Sequence, residues 1–218
     1  MNNYISHENQ LITSTFEKNW YWYYESLFWP EQINRITEIC QSSKEEDAVV
    51  VGQDKTDYSI RKNKVSWHND EELYDLIRPI LSNVNTSAGW NYNITAIEDL
   101  QYTTYYGDEN HYDWHTDTIP NDETLNDDYP ESILKNTIRK ISCIIQLSDP
   151  SEYSGGDFQL LSSTNRGSGF NTNPIDLPHI KGKGACICFP SFSYHRVTPV
   201  TKGIRRSLVC WFRGPKWT

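Results

Sequence analysis

A chain of 218 residues can bury one sizeable core, and its 13% aromatic content supplies the rings to fill it although only 37% of residues are hydrophobic. The formal charge of −9, from 20 basic and 29 acidic residues, argues against general binding of nucleic acid or of an anionic membrane. No apolar run approaches a membrane span, and the opening "MNNYISHENQ" lacks the apolar stretch of a secretory leader, so a cytoplasmic setting is expected.

The first helix is predicted to begin near Pro30, with Ile33, Ile36 and Cys40 at helical spacing and the proline in the first turn. A second, over "NDEELYDLIRPILSNVN", places Leu73, Leu76, Ile77, Ile80, Leu81 and Val84 on one stripe, with Pro79 a potential kink. Its acidic first turn suits the positive end of the helix dipole, so Asp70 is expected to cap it, which gives His68-Asn69-Asp70 a structural role.

After residue 90 the texture changes to short β-rich runs: "NITAIEDLQYTTYY", "NTIRKISCIIQLS", "GDFQLL", "GACICFP", "SYHRVTPV" and "RRSLVCWF". Turn-rich pieces separate them, the longest being "SSTNRGSGFNTNPIDLPHIKGKG". Helices followed by strands, without βαβ alternation, predict a mainly β (α+β) antiparallel sandwich or barrel braced by N-terminal helices. A single domain is expected, residues 1–89 forming the helical support and 90–218 the β core. The five cysteines, at 40, 143, 186, 188 and 210, form no C-x-x-C pair and read as reduced thiols, with Cys186 and Cys188 in or near the core.

The segment "GDENHYDWHTDTIP" holds two overlapping His-x-Asp patterns, His111-Asp113 and His115-Asp117. In an extended chain residues two apart share a face, so either pair could grip one ion, and spacing does not choose. Nine acidic residues and no basic one lie between Asp108 and Glu131, which is equally a solvated loop and a cation-favouring patch. Farther on, His195 lies in a β-like run, a turn with Pro199 and Gly203 follows, and Arg205, Ser207, Val209 and Trp211 alternate onto one face. An arginine facing a barrel interior needs a carboxylate partner, but alternation leaves the register with Arg206 inward equally open. Two histidines and one aspartate on adjacent strands would make the 2-His-1-carboxylate set that binds non-haem Fe(II) with open positions.

Four pieces occur in order: "LQYTTYYGDENHYDWHTD", "RKISCIIQLSDPSEYSGGDFQL", "KGACICFPSFSYHRVTPVTKG" and "RRSLVCWFRGP". Together they resemble the 2-oxoglutarate- and Fe(II)-dependent oxygenases, specifically the prolyl 4-hydroxylase-like branch with its PKHD-type hydroxylases, over roughly residues 90 to 215. The resemblance implies a double-stranded β-helix (a cupin-like jelly-roll). It makes His115, Asp117 and His195 the iron ligands and leaves His111 and Asp113 outside the triad. Arg205 becomes the anchor of the far carboxylate of 2-oxoglutarate. Gln146 falls where the family often carries a tyrosine, Tyr105 matches a tyrosine near the co-substrate, and Ser207 matches an R-x-S arrangement. Tyr112 and Trp211 are expected to line the substrate pocket, although a buried aromatic needs no function to explain it.

The reaction implied consumes Fe(II)-bound 2-oxoglutarate and O2, with ascorbate a candidate reductant, releases succinate and CO2, and hydroxylates a C–H bond. Asp117 fills a position that related halogenases leave open, which favours hydroxylation. The expected substrate is a prolyl residue in a peptide or protein, with residues 118–137 as a lid that excludes water. Alternatives are the same chemistry on a free amino acid or other small molecule, and a catalytically silent jelly-roll binding module. A silent module would be expected to have lost a ligand or the arginine, and all four are present. A hydrolytic metal site would leave Arg205 without a purpose.

Overall fold

The computed structural model describes residues 19–49, 56–118, 136–164 and 171–216. Helix α1, Pro30–Gln41, starts at its proline, whose missing N–H would have had no partner in a first turn anyway. It buries Ile33, Ile36 and Cys40. Helix α2, Glu71–Ser87, buries Leu73, Ile77, Ile80 and Val84, with Leu76 and Leu81 half-buried at the margins of the stripe. The helix runs through Pro79, which lies on its exposed face. Asp70 occupies the N-cap position but makes no side-chain capping bond; its carboxylate stands 4.0 Å from the buried His68 instead. The other nitrogen of His68 is bonded to Ser66 at 2.9 Å, so this His-x-Asp copy is structural.

The strands among the described residues are β1 (Trp22–Tyr24), β2 (Glu46–Asp47), β3 (Arg61–Lys62), β4 (Lys64–His68), β5 (Ala96–Ile97), β6 (Leu100–Tyr106), β7 (Asn110–His115), β8 (Thr137–Gln146), β9 (Tyr153–Gly155), β10 (Phe158–Thr164), β11 (Asn171–Asp176), β12 (Cys186–Pro190) and β13 (His195–Pro215). The major sheet runs β1-β12-β8-β13-β6-β4-β2, antiparallel throughout, with β5 beside the end of β13. The first part of β13 belongs to a minor sheet, between β10 and β7, with β11 beyond β10, β3 beyond β7, and β9 farther along. One strand therefore serves both layers of a jelly-roll.

Three expectations change here. Residues 22–68 contribute four short strands as well as α1, so the N-terminal part extends the sheets rather than only bracing them. The segment around Pro199 and Gly203 is not a turn between strands; β13 continues through it with register shifts. Gly203 permits this with a φ of 74°, in a place where a Cβ would lie 1.9 Å from the Glu152 carbonyl oxygen. Strand β11 also forms within a stretch that reads as loop, because its Asn-Thr-Asn-Pro composition carries no β signal until it pairs with β10.

Strand β8 shows how the layers divide. Cys143 and Ile145 face α1 and α2 in one cluster with Ile33, Ile36, Leu73, Ile77, Tyr102 and Phe212. Ile144 faces the space between the sheets with Tyr105, Tyr153, Phe158, Leu160, Phe189 and Val200. Each such side chain taken fully out of water contributes about 1.5–3 kcal/mol. All five cysteines are buried free thiols on the helix side. Among the described residues no helix is long and apolar enough to cross a membrane.

Candidate active site

The register of β13 against β7 places His195 directly opposite His115, and their rings lie 4.1 Å apart. Asp117 follows β7 by two residues and is held in place by its backbone, whose N–H donates to the Ser191 carbonyl at 2.9 Å. Its carboxylate oxygens stand 3.8 Å from His115 Nε2 and 3.6 Å from His195 Nε2. Strand pairing and one backbone hydrogen bond have thus gathered two imidazoles and one carboxylate.

The protonation of these groups follows from their other contacts. His115 Nδ1 meets the Asp113 carbonyl at 2.7 Å and His195 Nδ1 meets the Ser193 carbonyl at 3.0 Å. A carbonyl oxygen can only accept, so each Nδ1 carries a proton and each Nε2 is the nitrogen turned toward the centre. Burial, reinforced by His195, pushes the His115 pKa down to about 3, so its neutral form is strongly favoured. Burial opposes ionisation of Asp117, but His195, His115, Arg139 and the Ser142 hydroxyl outweigh it and hold the carboxyl down to about 2. The trio brings two imidazole Nε2 atoms and one carboxylate to a single point, a ligand set that fits a divalent iron ion. His111 lies apart, bonded through Nδ1 to the Glu109 carbonyl, and Asp113 is exposed.

The surroundings hold each ligand in place. Ser142 Oγ donates to Asp117 Oδ2 at 2.6 Å and is itself 2.9 Å from Ser191 Oγ. The Tyr112 ring stacks on His115 at 3.5 Å and 13°, with the Arg61 guanidinium 4.4 Å from the tyrosine's ring centre on β3's side. Arg61 is buried and bonded to Gln101 and Asn63. Phe189 and Phe158 pack around His195 at 4.7 and 5.7 Å. Tyr112, expected to line the substrate pocket, here braces His115.

Between the two sheets lies a pocket lined by Ile144, Gln146, Tyr153, Gly156, Phe158, Ile180, Lys181, Ile187 and Arg205. Arg205, not Arg206, is the arginine that points inward: it is buried, and its Nη1 has no hydrogen-bond partner. Tyr105, its cross-strand neighbour, places its ring 5.3 Å from the guanidinium carbon. Gln146 lines the pocket; Ser207 is buried opposite Gln146 and is not among the lining residues. Trp211 is buried with an unpartnered indole Nε1, and Arg139 lies 3.7 Å over its ring. Arg139 is fixed in turn by Glu98, which also takes Arg213. The expected lid, residues 118–137, falls almost wholly outside the described residues.

Sequence reasoning assigned no role to Tyr153, Lys181, Ser142, Ser191, Arg61 or the Arg139–Glu98–Arg213 cluster. For Tyr153 a signal existed. It precedes Gly155 and Gly156, at φ of 75° and 62°, and a Cβ on Gly155 would lie 2.1 Å from the Pro199 carbonyl oxygen. The two glycines let β9 press against β13 and so deliver the tyrosine inward.

Residues 100–213 match the family model described as the 2OG-Fe(II) oxygenase superfamily. A PKHD-type hydroxylase of Nitrosomonas europaea is 30% identical over 155 residues, covering 70% of this chain and 60% of that protein. One from Aliarcobacter butzleri is 38% identical over 73 residues, 34% of this chain and 28% of that protein. The chain thus spans 60% or less of the length of these curated relatives. Among solved structures, a Pseudomonas putida prolyl-4-hydroxylase superposes with a TM-score of 0.65 at 14% identity, covering 93% of this chain and 96% of that one. A Trichoplax adhaerens prolyl hydroxylase, in complex with a peptide fragment of the hypoxia inducible factor oxygen degradation domain, gives 0.66 at 16% identity, with 97% and 95% covered.

Proposed function

Because this chain belongs to the 2OG-Fe(II) oxygenase superfamily, in its PKHD-type, prolyl 4-hydroxylase-like branch, we propose that it is a dioxygenase that uses Fe(II), 2-oxoglutarate and O2 to hydroxylate a prolyl residue in a peptide or protein, releasing succinate and CO2. The observation that carries the reading is the pairing of the His115-Asp117-His195 trio with a buried arginine in the adjoining pocket, Arg205, whose Nη1 has no hydrogen-bond partner among the described residues. A guanidinium in such a place is costly without an anion, and a linear dicarboxylate supplies one.

His115, Asp117 and His195 would hold iron(II), which would supply the redox chemistry that couples the oxoacid to O2. The protein's own groups do the rest. Ser142 fixes the rotamer of Asp117, and backbone carbonyls fix the tautomers of both histidines. Arg205 orients the oxoacid from its far end, with Gln146 beside it. Aromatic walls from Tyr112, Phe158 and Phe189 limit water at the reacting centre. Trp211, with an idle buried N–H, offers a donor to a substrate carbonyl, and a proline ring suits the aromatic surface of Trp211 and Trp67. The peptide bound by the Trichoplax relative lends support to a substrate of that class.

The test is anaerobic addition of Fe(II) and 2-oxoglutarate to metal-free protein, followed through the visible charge-transfer band, and then succinate release with proline-containing peptides. The band is expected in the parent and in His111→Ala, absent in His115→Ala, and shifted to much higher 2-oxoglutarate in Arg205→Ala. A parent without the band removes the oxygenase reading. A band with no peptide-dependent succinate moves the substrate to another class.

A further inference from the structure

The pocket beside Arg205 holds more polar chemistry than one guanidinium. Gln146 Nε2 donates to the Tyr153 hydroxyl at 2.9 Å, and both residues are buried. That bond occupies the oxygen of the phenol, not its proton. Among the described residues no acceptor takes that proton, although the hydroxyl sits in the wall of a pocket where Arg205 Nη1 also lacks a hydrogen-bond partner. Two idle donors in one buried pocket are costly unless an acceptor with several lone pairs joins them. The ring is locked at this spot: a Cβ on Gly156 would lie 2.9 Å from Arg205 Cδ and 3.5 Å from Tyr153 Cε2, so the tyrosine and the arginine stem pack edge to edge around that glycine.

Resting on the co-substrate reading above, we propose that Tyr153 is a second ligand of the far carboxylate of 2-oxoglutarate. Its phenol proton is aimed by the Gln146 amide and acts beside Arg205. The hydroxyl that contacts the anion therefore comes from β9, while the residue on β8 directs it. Together, Arg205 and Tyr153 select an oxoacid that ends in a carboxylate over one that ends in a methyl group. The other cation in the wall, Lys181, is ion-paired with Asp157 and is not needed for the assignment.

The experiment compares 2-oxoglutarate with 2-oxovalerate, which keeps the chelating end and lacks the far carboxylate. Each is titrated anaerobically into the Fe(II)-loaded protein and followed through the charge-transfer band. A hydrogen bond to a charged group predicts that Tyr153→Phe weakens 2-oxoglutarate roughly ten- to a hundredfold and leaves 2-oxovalerate within about twofold. Gln146→Leu, titrated in parallel, keeps the phenol and loses its director; it is expected to lose the same discrimination to a smaller degree. Thermal unfolding confirms that both variants are folded, and the Gln146 variant carries the test if Tyr153→Phe is not. Unchanged 2-oxoglutarate affinity overturns the assignment, and so does equal weakening of both oxoacids, which marks a merely structural tyrosine. A parent that gives no band with either oxoacid overturns the oxygenase reading and this inference with it. A parent that binds both equally leaves the iron site standing and overturns the far-carboxylate contact.

Discussion

Glu98→Gln probes the buried charge cluster that backs the site. Glu98 accepts from Arg139 at 2.8 and 2.6 Å and also from Arg213 Nη1. Arg213 is further tied to the Thr137 carbonyl at 2.6 Å. The glutamine is the same size, so packing is kept, but it is neutral and turns an N–H2 toward one of two guanidiniums. Breaking a buried pair from one side costs about 3–5 kcal/mol, because the remaining charge is left uncompensated. For a domain of this size each kcal/mol moves Tm by about 2–4 °C, so the expected drop is about 6–20 °C by calorimetry at neutral pH. The effect has a defined pH window. Burial alone raises the Glu98 pKa, but Arg139 and Arg213 outweigh it and hold the folded value below that of a free carboxyl. Its stabilisation is therefore full above the unfolded pKa near 4.3 and is lost as pH falls through the lower folded value. The gap in Tm between parent and variant should be constant from about pH 6 to 8 and narrow below about 4. A drop under about 2 °C at pH 7, or a gap that widens in acid, refutes the reasoning.

Two further outcomes test the site directly. Ser142→Ala frees Asp117 Oδ2 from its 2.6 Å bond and is expected to weaken divalent-metal binding about 10–100-fold, with Ser142→Thr close to the parent; Co(II) absorption titrations measure both. Gly156→Ala forces a Cβ to 2.8 Å from Val200 Cγ2 and 2.9 Å from Arg205 Cδ, at a φ of 62°. Weaker 2-oxoglutarate binding at near-parent metal affinity is expected; equal loss of both means the damage is not confined to the pocket.

The helices were legible because their stripes are long and periodic; the trio His115, Asp117 and His195 was singled out by the family resemblance of "YDWHTD" and "SYHRVTPVTKGIRRS", since His-x-Asp spacing alone does not choose between two copies. Alternation could not choose between Arg205 and Arg206; pairing of β13 with β6 and β8 did. The short strands β1 to β4 and β11 were hidden because two- to six-residue elements draw their stability from neighbours rather than from their own composition. Contacts between separate strands or loops, such as Gln146 with Tyr153 or Ser142 with Ser191, leave no periodic trace, since they depend on which faces the sheets turn toward each other.

Strand β13 carries His195 of the proposed iron-binding trio and Arg205, the proposed anchor of the oxoacid, and its two ends pair in different sheets. Its partners include segments about a hundred residues earlier in the chain, such as β6 and β7. Such pairings are entropically late events in folding. A nascent chain that has emerged only as far as β12 contains His115 and Asp117 but neither His195 nor Arg205. Competence to hold iron and competence to hold the oxoacid therefore arrive together, when one strand docks. A one-residue slip of that strand would turn both side chains to the wrong face and abolish both at once.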